Sequence, residues 1–144
     1  MSTSVSMQAP NSPVILLVED ESIVREITGE VLAHAGYQVL ESGNAREALQ
    51  IASDHQGKID LLLTDIVMPE MNGADLAHHM LNHQPDLITI FMSGYAEQDL
   101  LRKTKLTSAI HIQKPFTVDA LLSRVSEALS SAPGLESKLP DVCA

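Results

Sequence analysis

Four places along the chain carry groups suited to phosphate chemistry: the acidic run Glu19-Asp20-Glu21, the pair Thr64-Asp65, the hydroxyl of Ser93 and the ammonium of Lys114. If Glu19, Asp20 and Asp65 converge, their mutual repulsion demands a compensating cation. Oxygen ligands with no Cys or metal-binding His pair beside them select a hard ion, and Mg²⁺ is the usual choice for carboxylates that also handle a phosphate. The 19–21 run equally suits the start of a helix, where negative charge meets the positive end of the helix dipole. Lys114 favours the site, because it can pair with the cluster at rest and later neutralise an incoming phosphoryl group. Ser93 adds a hydroxyl donor. Asp65 is then the nucleophile, its carboxylate attacking phosphorus to give an acyl phosphate.

These groups matter only if the elements around them bring them together. Val14 to Val18, Tyr37 to Leu40, Ile59 to Leu63, Leu87 to Phe91 and Ala109 to Ile112 are strand candidates. The most apolar are near-continuous runs, as expected of parallel strands covered on both faces. Helical period is clearest at Val24, Ile27 and Val31, at Ala45, Ala48, Leu49 and Ala52, and at Val118, Leu121, Leu122, Val125 and Leu129. Two weaker helices fit Gly73 to Asn82 and Ala96 to Lys103. The resulting (βα)5 repeat predicts an α/β fold with an open, parallel, doubly wound sheet and right-handed crossovers. Sites in such sheets lie beyond the carboxyl ends of the strands at the topological switch point, where all four places fall.

The runs Leu16-Leu17-Val18-Glu19-Asp20-Glu21 and Leu62-Leu63-Thr64-Asp65-Ile66-Val67-Met68-Pro69-Glu70-Met71-Asn72-Gly73, with Met92-Ser93-Gly94-Tyr95 and Lys114-Pro115-Phe116, together resemble the receiver domain of two-component response regulators. In detail they look closest to receivers of hybrid sensor histidine kinases. The likeness covers roughly Pro13 to Ser130, and it implies a flavodoxin-like five-stranded parallel sheet of order 2-1-3-4-5. It further implies that Asp65 is the phospho-acceptor and that Glu19 and Asp20 are the acidic pair. Asp20, Asp65 and the backbone carbonyl of Val67 would hold Mg²⁺. Ser93 would be the switch hydroxyl, and Lys114 the phosphate-facing lysine with a cis bond to Pro115. Gly94 would leave a phosphodonor room to approach. His111 occupies the position of the aromatic switch residue, where Tyr or Phe is more usual. Val67 and Tyr95 flank the path of attacking water, and an apolar and a bulky group there predict slow autodephosphorylation.

Composition narrows the alternatives. The 144 residues are 44% hydrophobic, enough for one domain with a sizeable core. Residues 1–12 and 131–144, rich in Ser and Pro, read as disordered tails around a domain at 13–130. A net charge of −10 repels nucleic acid and anionic membranes, and two Tyr and two Phe without Trp leave few bases a stacking platform. The single Cys143 excludes an internal disulfide and suits a cytoplasmic protein. The first residues lack the basic start and apolar stretch expected of a signal peptide, and no apolar run is long enough to span a bilayer. His79 and His83 have the spacing of a helical metal pair, but with His78 they read as a solvated face. Val67 stands where dehalogenase-like phosphatases carry a second Asp, and the acidic 19–21 run would repel a flavin phosphate.

The expectation is therefore a stand-alone receiver, not an enzyme of its own beyond assisting its phosphorylation and slow autodephosphorylation. Its donor is expected to be a sensor histidine kinase or a histidine phosphotransfer protein. Since no output domain follows the last helix, output should be binding to a downstream protein or onward transfer, as a monomer or weak dimer. A phosphorylation-independent interaction module and the receiver piece of a hybrid kinase are the alternatives.

Overall fold

The computed structural model describes residues 12–68, 70–94 and 110–130. In chain order these form β1 (Val14–Val18), α1 (Ser22–His34), β2 (Gln38–Ser42), α2 (Ala45–Asp54), β3 (Leu61–Asp65), α3 (Gly73–His83), β4 (Ile88–Ser93), β5 (Ile110–Gln113) and α4 (Val118–Ser130). All pairings are parallel, in the order β2-β1-β3-β4-β5. The expected doubly wound sheet is thus present. The helix expected at Ala96 to Lys103 and both expected tails, apart from Ser12, lie outside the described residues.

Every residue of β1 and β3 is buried. Because side chains alternate across a strand, each apolar run feeds two cores. Leu16, Leu62 and Phe91 pack with Ala48, Leu76, Ala77 and Met80 beneath α2 and α3. Ile15, Leu17, Leu63 and Ile90 pack with Leu32, Leu121 and Val125 beneath α1 and α4. Each of these large aliphatic or aromatic side chains contributes about 1.5–3 kcal/mol by leaving water.

The strand limits move from the sequence expectation for identifiable reasons. β2 begins at Gln38, whose N–H donates to the Pro13 carbonyl at 3.0 Å, and continues through Glu41 and Ser42, paired with Leu17 and Val18. These polar residues are tolerated because β2 is a sheet edge. Ile59 lies outside β3 although it is buried, its N–H bonding the Gln84 side chain at 3.0 Å. The same strand runs on to Thr64 and Asp65, and β4 runs on to Ser93, so both polar groups are the last rungs of their ladders. β5 extends to Gln113, and Ala109 lies outside the described residues.

Candidate functional site

The chain leaves β1 toward β2 on one side and returns to β3 on the other, so the switch point lies between β1 and β3, where Val18 pairs with Thr64. Glu19 and Asp20 emerge from one strand and Asp65 ends the other. Ser93 ends the adjacent β4, and its pairing with Gln113 sets Lys114 directly beyond it. The Lys114 N–H donates to the Ser93 carbonyl at 2.8 Å, and the Lys114-Pro115 bond is cis.

Glu19 and Ser93 are fully buried, and Asp65 is nearly so. Lys114 Nζ lies 2.9 Å from Glu19 Oε1 and 2.6 Å from Asp65 Oδ1. One ammonium therefore serves two buried carboxylates. Burial first, then the neighbouring Glu19, pushes the Asp65 carboxyl up to about 8 against the pull of Lys114. For Lys114, burial would lower the pKa, but the two carboxylates outweigh it and hold the ammonium up to about 12. Burial likewise raises Glu19, yet the neighbouring Asp65 and the Lys114 ammonium leave it below its ordinary value.

The loop after β3 is folded back onto the strand end. The Thr64 hydroxyl donates to the Asp65 carbonyl at 2.9 Å, and Gly73 N–H donates to the Ile66 carbonyl at 2.8 Å. A Cβ on Gly73 would run into the carbonyl of Asp65. This close approach fixes the residue that opens α3 as glycine.

A cation is the evident complement to this arrangement. One carboxylate oxygen from each of Glu19, Asp20 and Asp65 lies within 4.8 Å of the others, and Asp20 is exposed to the mouth. Among the described residues, Asp65 Oδ2 and Ser93 Oγ are buried and lack hydrogen-bond partners. An all-oxygen donor set with an unsatisfied carboxylate oxygen fits a hard divalent ion.

The remaining expected residues fall as follows. Val67 is half-exposed in the loop beyond Asp65, and Gly94 follows Ser93 directly. His111 is exposed on β5, paired with Phe91. Tyr95 lies outside the described residues. His78, His79 and His83 are exposed on α3, away from the carboxyl edge, and His83 Nδ1 lies 3.1 Å from the His79 carbonyl. Sequence reasoning missed Arg25, whose Nη1 donates to the Glu19 carbonyl at 2.8 Å. Its only signal was a lone cation in the first turns of the helix following three acids.

The sequence profile of the response regulator receiver domain matches residues 15–126. Sensor kinase CckA of Brucella abortus is 38% identical over 119 residues, which is 82% of this chain and 13% of that kinase. Sporulation initiation phosphotransferase F of Bacillus subtilis is 31% identical over 116 residues, 80% of this chain and 92% of the relative. The crystal structure of the receiver domain from the hybrid histidine kinase CckA superimposes with a TM-score of 0.69 at 34% identity, covering 81% of this chain and 98% of that one.

Proposed function

Because this chain belongs to the response regulator receiver domain family of two-component signalling, we propose that Asp65 is its phospho-acceptor and that a phosphohistidine protein is the donor. The observation that carries this reading is the Asp65 carboxylate. It is buried at the switch point, with one oxygen on Lys114 and the other without a hydrogen-bond partner among the described residues. That oxygen attacks the phosphorus of the donor. The new P–O bond forms as the P–N bond breaks, and the imidazole nitrogen keeps the electron pair. Lys114 faces the charge gathered on the phosphoryl oxygens, and Ser93 supplies a hydroxyl donor to them.

Glu19, Asp20, Asp65 and the Val67 carbonyl are the groups that would hold Mg²⁺, which when bound would offset the charge of the carboxylates and the phosphoryl group. The bond between Ser93 and the phosphate would bias the sheet edge at His111 and so the surface offered to a downstream protein. The half-exposed, apolar Val67 supports slow loss of the phosphoryl group, since it orients no water. No helix among the described residues is long and apolar enough to cross a membrane, and the single cysteine suits the cytoplasm.

The donor has a candidate landing place next to the site. Ile23, Ile27 and Val118 are 71%, 56% and 52% exposed. Ile27, Val31, Val118 and Leu122 line a groove of about 410 Å³ between α1 and α4. Ile23 stands in the first turn of α1, just beyond Asp20, so a helical donor seated on this face would carry its histidine to the mouth.

Incubation with Mg²⁺ and acetyl phosphate tests the assignment. We expect an adduct of about 80 Da, one phosphoryl group, on the wild type and none on Asp65→Asn. No adduct on the wild type, or its persistence in the variant, would sink it.

A further inference from the structure

Helices α2, α3 and α4 each open on a side-chain cap. Asn44 accepts from Glu47 N–H, Asn72 from Asp75 N–H, and Thr117 from Ala120 N–H. Helix α1, which begins directly after the acidic pair, does not: Glu21 at its N-cap makes no side-chain capping bond. Two contacts steady this turn: the Glu21 N–H donates to Glu19 Oε2 at a long 3.5 Å, and Arg25 supplies the shorter bond. The half-buried Arg25 side chain reaches back toward the start of α1, and its Nη1 donates to the main-chain carbonyl of Glu19 at 2.8 Å. The Glu19 N–H is meanwhile held by the Ser42 carbonyl at 3.0 Å, and its carboxylate by Lys114 at 2.9 Å. Residue 19 is thus gripped by α1, the end of β2 and the segment after β5. Gly43 makes room for the grip, since a Cβ there would sit 3.0 Å from Arg25 Nη1.

We propose that Arg25 is a positioning residue that sets the acidic pair for the divalent cation by fixing the peptide plane between Glu19 and Asp20. Asp20 is exposed and its carboxylate makes no hydrogen bond or ion pair among the described residues, so the plane of its peptide is what sets where its side chain departs toward the site. This inference rests on the reading of Glu19, Asp20 and Asp65 as the cation site. It has a distinctive sign. Arg25 is itself a cation near three acids, so by charge alone its removal would tighten binding of Mg²⁺. If it acts through the Glu19 carbonyl, removal weakens binding instead, as loss of an outer partner does at metal sites.

The test is a calorimetric titration of the full chain with Mg²⁺, comparing wild type with Arg25→Gln, Arg25→Ala and Arg25→Lys. Gln and Ala are good helix formers, so α1 should be retained, and far-UV circular dichroism checks it. We expect Gln and Ala to weaken Mg²⁺ binding about tenfold. Lys, which can still donate one bond to one carbonyl, should stay close to wild type. With acetyl phosphate, the Mg²⁺ concentration for half-maximal phosphorylation should rise in Arg25→Gln while the rate at saturating Mg²⁺ is kept. Unchanged or tighter binding in the Gln and Ala variants overturns the proposal. A wild type that binds no Mg²⁺ overturns the cation site itself, which is a separate failure.

Discussion

Asp65 retains a proton over a range of pH in which an unfolded aspartate has lost one. With its pKa pushed from 3.8 to about 8, the metal-free folded state holds a proton that the unfolded chain releases above pH 4. The unfolded state is then favoured progressively as pH rises, so this group's contribution is full below about pH 4 and lost as pH passes 8. Asp65→Asn keeps the shape and removes the titration. In urea melts without divalent ions, the wild type should therefore lose stability between pH 5 and 8.5 more steeply than the variant. At pH 8 Asp65→Asn should be the more stable, because the amide has no charge to bury. Parallel pH profiles would refute the burial argument. Glu19, whose pKa is lowered, acts in the opposite sense and loses its contribution only as pH falls. Asp65, Glu19, Asp20, Ser93 and Lys114 were legible in the sequence because charged and hydroxyl groups at the ends of aliphatic runs are conspicuous. Arg25 was less so, because it acts on a main-chain carbonyl, a partner that side-chain type does not disclose.

Elements were legible in proportion to their burial. β1, apolar on both faces, was read to the residue, from Val14 to Val18. β2 was read short because an edge strand admits Glu41 and Ser42, which hydrophobic pattern assigns to a loop. β3 and β4 were read short at the end that matters, because the polar residues closing them are the functional ones. The junction of β3 with α3 is where element and site meet. Gly73 there leaves no space between its Cα and the Asp65 carbonyl, so Gly73→Ala must either push α3 outward or turn the Asp65 peptide. Overpacking against backbone costs about 1–3 kcal/mol. Urea denaturation should show a loss of that size, and phosphorylation by acetyl phosphate should slow as the carboxylate is displaced. A variant that matches the wild type in both would show that the loop yields freely.

At the scale of the whole molecule, two properties bear on how a donor arrives: a net charge of −10 and an apolar face on α1 and α4 beside the site. The first sets encounter. A donor with a basic surface is drawn in, and the rate of association should fall as salt screens the field over about 8–10 Å. The second sets residence. Ile27 is 56% exposed and lines the groove, where a partner's apolar side chain would cover it. Acetyl phosphate is too small to need that face, so the two donors separate docking from chemistry. Ile27→Glu puts a charge at the centre of the face without touching Asp65, Lys114 or either core. Loss of one central contact is worth about 2 kcal/mol, which is roughly a 30-fold rise in the donor's KM. Transfer from a phosphorylated histidine-bearing protein should therefore weaken by that factor in Ile27→Glu, while the rate with acetyl phosphate stays at the wild-type value. If both rates fall together, the substitution has disturbed the fold. If neither falls, the donor sits elsewhere, and the exposed isoleucines of α1 need another occupant.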